Sequence, residues 1–175
     1  MEFLDQRVGV FIDIQNIYHS AKHLYQAKVN FPQLVKTLVG RRKLIRSIGY
    51  VVKSDSSLGE ASFFDVLVKN GIELRMKDLQ IFPDGSKKAD WDVGMAVDAI
   101  RMASFLDVVI LVTGDGDFVP LVEYLQFGMG RQVEVASFGR SGSARLKEVV
   151  DVYTNLEEHP RLLIRGGRGN IKQTQ

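Results

Sequence analysis

Asp115 and Asp117 stand one glycine apart, directly after the apolar run 108–112 and the pair Thr113-Gly114. Two carboxylates that close repel each other unless protons or a cation offset the charge. Asp13 closes a second apolar run, 8–12, and an amide, Asn16, follows three residues later. A third acidic point lies in Lys88-Ala89-Asp90-Trp91-Asp92, where a helical pattern begins. Read by themselves, acids gathered at one point call for a cation or bound protons there, so cation binding is the chemistry these residues invite.

The acids need a frame that brings separate segments to one edge. In an open α/β sheet, ligands bind beyond the carboxyl ends of the strands. Apolar runs and turn residues predict strands over 8–14, 44–52, 72–76, 108–113, 132–136 and 152–156. Between them, helical spacing predicts helices over 17–26, 31–39, 60–70, 91–104, 119–127 and 144–149. Val93, Val97 and Ile100 mark one face of the helix over 91–104. Residues 54–58, Pro83-Asp84-Gly85 and 139–143 read as loops or turns. Strand–helix alternation specifies an α/β class: a three-layer, Rossmann-like domain with a mainly parallel five- or six-stranded sheet. Right-handed crossovers set the first and fourth strands side by side and put Asp13 and Asp115 at the switch point.

The chain has 175 residues, enough for one domain with a substantial core. Its hydrophobic share of 45% and charged share of 25% are ordinary for a globular protein. No apolar run reaches membrane-spanning length, and the first residues lack a signal-peptide pattern, so no membrane association is expected. With no cysteine there is neither a disulfide framework nor a thiolate metal site, which fits a cytoplasmic setting. The net charge of +2 is small, but basic residues cluster at Arg41, Arg42, Lys43 and Arg46 and in the tail from Arg161 onward, with Arg161, Arg165, Arg168 and Lys172. Basic patches beside an acidic pocket suit a polyanion; a solvated surface is the plain alternative.

The segments Phe11-Ile12-Asp13-Ile14-Gln15-Asn16, Lys88-Ala89-Asp90-Trp91-Asp92 with Asp98 beyond it, and Thr113-Gly114-Asp115-Gly116-Asp117-Phe118, in that order, resemble the NYN domain family. Within it they are similar to the bacterial LabA-like group, which has a PIN-like fold. The resemblance spans 7–156 and leaves 157–175 as a basic, Gly/Arg-containing tail. It implies a metal-dependent ribonuclease using Mg²⁺ or Mn²⁺, with single-stranded RNA as partner. Asp13, Asn16, Asp92, Asp115 and Asp117 match the family's catalytic positions, and the four aspartates are the expected metal ligands. Asp13 and Asp115, each ending a central strand, lead that set. Asn16 would orient a ligand or a phosphate oxygen. Thr113 stands where serine is commoner, Ala89 where glycine is common, and Asp90 is an extra acid.

Plainer roles stand beside these. Asp92 could cap its helix or favour its dipole, and Asp117 could cap a helix beginning at Phe118. Asp98 lies roughly 9 Å of helix rise beyond Asp92 and is turned away from it, so it reads as a structural partner to Arg101 or another base. Lys88 and Arg140 are candidate substrate contacts, with surface roles as the alternative. Trp91 could stack a base or pack beside the sheet. His19 and His23 lack a third metal ligand and read as exposed or core-edge residues. Phe127 and Met129 leave a homodimer open. The rival to an enzyme is a non-catalytic RNA-binding or regulatory module. A small-molecule phosphohydrolase lacks a nucleophile motif, and a dinucleotide site lacks the third glycine.

Overall fold

The computed structural model describes residues 3–53, 58–88 and 90–165. Its elements, in chain order, are β1 (Arg7–Asp13), α1 (Ile14–Tyr25), β2 (Ala27–Val29), α2 (Phe31–Val39), β3 (Lys43–Lys53), α3 (Leu58–Lys69), β4 (Glu73–Asp78), β5 (Gln80–Ile81), β6 (Lys87–Lys88), α4 (Asp92–Ala103), β7 (Val108–Val112), α5 (Val119–Glu123), β8 (Gln132–Ser137), α6 (Ala144–Val149), β9 (Val152–Asn155) and β10 (Leu163–Arg165). The main sheet has six strands in the order β4-β3-β1-β7-β8-β9, and every pair is parallel. The chain builds outward from β1 to β4, then returns to lay β7 on the other side of β1. That reversal is the expected switch point, and the three-layer α/β class is borne out.

Strand alternation divides the core in two. Val8, Val10 and Ile12 of β1 with Val108, Ile110 and Val112 of β7 pack against α1, α2 and α3. Phe11, Val109 and Leu111 point the other way, into a core with Met95, Ala99, Leu121 and Leu146. Strands buried on both faces read as continuous apolar runs, which is why β1 and β7 stand out in the sequence.

Local signals set the helix ends. Asp13 caps α1 directly, accepting the Asn16 N–H, so α1 begins at Ile14 rather than at 17. Asn30 caps α2 by accepting the Gln33 N–H, with Pro32 in the first turn. Gly85, at φ +82°, supplies the left-handed residue of the Pro83-Asp84-Gly85 turn. That turn connects the short antiparallel pair β5–β6, which the sequence reading did not resolve.

Two helices depart from expectation. Val93, Val97 and Ile100 do not face the core; they are 74%, 46% and 37% exposed. α4 buries Met95, Asp98, Ala99 and Met102 instead. The small and unbranched residues allow close approach to the sheet, and Asp98 is accepted there because the Tyr50 hydroxyl donates to it at 2.9 Å. α5 stops at Glu123 and continues as one π turn over Tyr124–Gly128, which leaves Phe127 86% exposed.

Past β9 the chain makes two short 3₁₀ turns, and β10 then pairs antiparallel with β2. Residues 166–175 of the expected tail and 54–57 of the expected loop lie outside the described residues. At the amino ends of the strands, Arg42 and Glu134 form a buried pair. Arg42 Nη1 donates to Oε1 at 2.6 Å and Nη2 to Oε2 at 3.1 Å. Among the described residues no helix is long and apolar enough to cross a membrane.

Candidate functional site

At the switch point the ends of β1 and β7 are laced together by side chains. Asp13 Oδ1 accepts the Asn16 N–H at 3.1 Å. The Thr113 hydroxyl, fully buried, donates to Asp13 Oδ2 at 3.5 Å and accepts the Asp115 N–H at 3.2 Å. Asn16 Oδ1 accepts the Gly114 N–H at 2.9 Å. Asp115 Oδ1 accepts the Asp117 N–H at 2.9 Å and so caps the 3₁₀ turn Gly116–Phe118. The capping role considered for Asp117 therefore belongs to Asp115. Gly114 is required by space: a Cβ there would lie 3.0 Å from Gly142 Cα. The loop bearing Gly142 is fixed to the same spot by the Ser143 N–H, which donates to the Gly114 carbonyl at 2.9 Å.

Asp92 arrives from a third segment, as the first residue of α4. Trp91 holds the cap position and provides no capping side chain, so Asp92 is free of that duty and sits at the positive end of the helix. Trp91 anchors this corner. Its indole N–H donates to the Val51 carbonyl at 2.9 Å, and its ring lies 5.5 Å from that of Tyr50. Carboxylate oxygens of Asp92, Asp115 and Asp117 lie within 4.8 Å of one another.

The charge of this corner is felt by its members. Burial raises the pKa of Asp92, and the charges of Asp115, Asp90 and Asp117 raise it further, while Lys77 opposes them. Asp13, outside the trio but beneath it, is raised to about 6. Burial is the main cause, the Asn16 N–H opposes it, and Asp92 and Asp115 add to it. A polar site that disfavours its own carboxylates is one in which a cation is welcome.

Of the five expected catalytic residues, the structure thus gathers three carboxylates as one group, with Asp13 and Asn16 bound into the loops behind them. Asp98 sits apart, with Tyr50, Arg75 and Arg101 as its partners. Lys88 pairs through its backbone with Gln80; its side chain lies outside the described residues. Arg140 is exposed, its Nε 3.6 Å from Glu157 and its guanidinium 5.8 Å from the Tyr25 ring. The loop 139–143 ends in Ser143, which caps α6. His19 and His23 are exposed.

Sequence reasoning missed Lys77, whose Nζ donates to the Asp90 carbonyl at 2.5 Å and lies 4.8 Å over the Trp91 ring. No local spacing ties residues thirteen apart on different elements; the one signal was its alternation with Arg75 on a short strand.

Known proteins resemble this chain over most of its length. The model of the NYN domain matches residues 7–157. The low amplitude and bright protein LabA of Synechococcus elongatus is 26% identical over 172 residues, covering 90% of this chain and 88% of that protein. A crystal structure of a protein of unknown function from Vibrio parahaemolyticus superposes with a TM-score of 0.84 at 29% identity. It covers 94% of this chain and 99% of the other.

Proposed function

The chain belongs to the NYN domain family, a family of nuclease-like proteins in which it sits with the LabA-like, PIN-like group, and on that premise we propose that it is a divalent-metal-dependent ribonuclease. The observation that carries this reading is the trio Asp92, Asp115 and Asp117, with oxygens within 4.8 Å at the sheet's switch point. Three carboxylates with no nitrogen or sulfur donor are a hard-oxygen set, and they fit Mg²⁺ or Mn²⁺. Asp92, Asp115 and Asp117 would hold the ion, with Asp13 beside them. When bound, the ion supplies charge stabilisation at the scissile phosphate and a more acidic water.

The protein's own groups do the rest. Asp13, whose two oxygens accept from the Asn16 N–H and the Thr113 hydroxyl, is the group placed to take the proton that the attacking water loses. The P–O bond to the leaving nucleotide breaks, and that oxygen takes its proton from solvent. Thr113 and Asn16 hold the Asp13 carboxylate and the backbone N–H groups of Gly114 and Asp115 in register, so Asp13 need not reorganise during the reaction. Arg140 and Lys88 stand in this reading as outer contacts to the strand. The partner is single-stranded RNA, the setting the cytoplasm, and the catalytic unit residues 7–156.

The test is cleavage of labelled single-stranded RNA by the purified chain with Mn²⁺ or Mg²⁺, beside Asp115→Asn. Turnover by the natural chain and loss in the variant is the expected result. Equal cleavage by both would mean a contaminant. Binding without metal-dependent turnover would leave an RNA-binding module in place of an enzyme.

A further inference from the structure

A line of cations runs from the sheet's β4 edge toward the acid trio. Side chains alternate along β4, so Glu73, Arg75 and Lys77 share one face. Arg46 of β3 joins them by pairing with Glu73 through Nε at 2.7 Å and through Nη2. α4 brings Asp98 and Arg101 to the same place. Asp98 is only 9% exposed; Tyr50 holds its Oδ2 at 2.9 Å, Arg75 Nε lies 3.4 Å from that oxygen, and Arg101 Nη1 lies 3.8 Å from Oδ1. Lys77, two residues beyond Arg75, reaches Asp90 and Trp91, the residues just before Asp92.

Three arginines, Arg46, Arg75 and Arg101, here face two carboxylates, and the carboxylates are unequally used. Arg46 takes Glu73 with two nitrogens, as Arg7 takes Asp107 and Arg42 takes Glu134. These are saturated structural pairs. Arg75 and Arg101 differ: each touches Asp98 through one nitrogen at long range, and their side chains stay 40% and 74% exposed. Arg75 is held through Nε, which leaves both of its terminal nitrogens open; Arg101 is held through Nη1 alone, which leaves Nη2 and Nε open. An open fork is the geometry that takes two oxygens of a phosphate.

We propose that Arg101, Arg75 and Lys77 form the track along which the backbone of a single-stranded RNA reaches the acid trio. Arg75 and Arg101 meet phosphates, and Asp98 is the positioning residue that sets both forks. Lys77 meets the strand nearest the trio and offsets its negative charge there. The identity of the polyanion rests on the ribonuclease reading; the existence of the track does not.

The experiment measures binding of labelled single-stranded RNA to the full chain in EDTA, over a range of salt, and then steady-state cleavage with Mn²⁺. Arg75→Gln and Arg101→Gln should each flatten the slope of log K against log salt by about 0.7, the value for one lost phosphate contact on a single strand. Affinity should fall several-fold at low salt, and the loss in turnover should fall on KM more than on kcat. Arg75→Lys keeps the charge without the fork, so it should restore the slope and only part of the affinity. Asp98→Asn should raise KM, with little added effect in combination with Arg75→Gln. Lys36→Gln, exposed on α2 across the sheet, should match the natural chain. Thermal melts establish that each variant folds. Natural slope and KM in both Arg75→Gln and Arg101→Gln would overturn the track even if RNA is cleaved. A slope that responds to these residues in a chain that never cleaves would keep the track and end the ribonuclease reading. Equal affinity for duplex DNA would overturn the single-strand assignment.

Discussion

The side chain of Asn16 closes on the backbone of Gly114: its Oδ1 accepts the Gly114 N–H at 2.9 Å, across 98 residues of chain. Gly114 is buried, so no water replaces that acceptor if it is lost. Asn16→Ala is expected to cost about 1–3 kcal/mol, the penalty of an unsatisfied buried donor. Asn16→Asp, which keeps an acceptor, should fold but weaken the metal-free protein by adding charge beside the trio. Urea titration of both variants checks this; an unchanged midpoint in Asn16→Ala would refute it.

Asp13 sets a pH dependence of the metal-free chain. Its folded pKa of about 6 lies above the ordinary 3.8, so the folded state binds the proton more tightly than the unfolded state. Stability from this group is complete below pH 3.8 and is lost as pH rises through about 6. The loss amounts to about 3 kcal/mol. Asp13→Asn should remove that decline and be the more stable protein at pH 7 in EDTA, while losing turnover. Melting curves from pH 4 to 8 in EDTA decide it; parallel profiles for the two proteins would count against the assignment.

Metal binding should be readable without any substrate. Saturating Mn²⁺ at about a hundred times its Kd should stabilise the folded chain by about 2.7 kcal/mol. Asp92→Asn, Asp115→Asn and Asp117→Asn should each shrink the thermal shift, and Asp98→Asn should leave it intact because Asp98 serves arginines. Equal shifts in all four variants would mean that the ion binds elsewhere.

The Arg42–Glu134 pair is a test of the scaffold far from the acids. Removing one partner leaves a buried charge, so Glu134→Ala should cost about 3–5 kcal/mol. Replacing both with apolar residues of similar volume should recover most of it. Chemical denaturation of the single and double variants measures the difference, and a double variant no better than the single would argue against the pair as the cause.

Much of this frame is legible in the sequence. β1 and β7 announce themselves as unbroken apolar runs because both faces of each are buried, and the acids ending them follow the strands to the edge. The orientation of α4 is not legible. Its sequence carries two apolar stripes, and a buried Asp98 is made acceptable by Tyr50, 48 residues earlier, together with Arg75 and Arg101. Asp117 looked like a cap because Phe118 starts an apolar pattern, yet the turn begins earlier and Asp115 heads it. The trio was legible as residue types but not as a set. Which acids lie in one group depends on the register of α4 against the β7 loop, and no spacing encodes that register. β2 and β10, three residues each, are too short to show a period.

The close meeting of Gly114 with Gly142 also sets a schedule. All three acids of the trio have been synthesised once Asp117 is added, yet the loop that backs Gly114 comes about two dozen residues later. It must be carried into place by β8. A chain still being made therefore holds every acid before it holds the wall that shapes them.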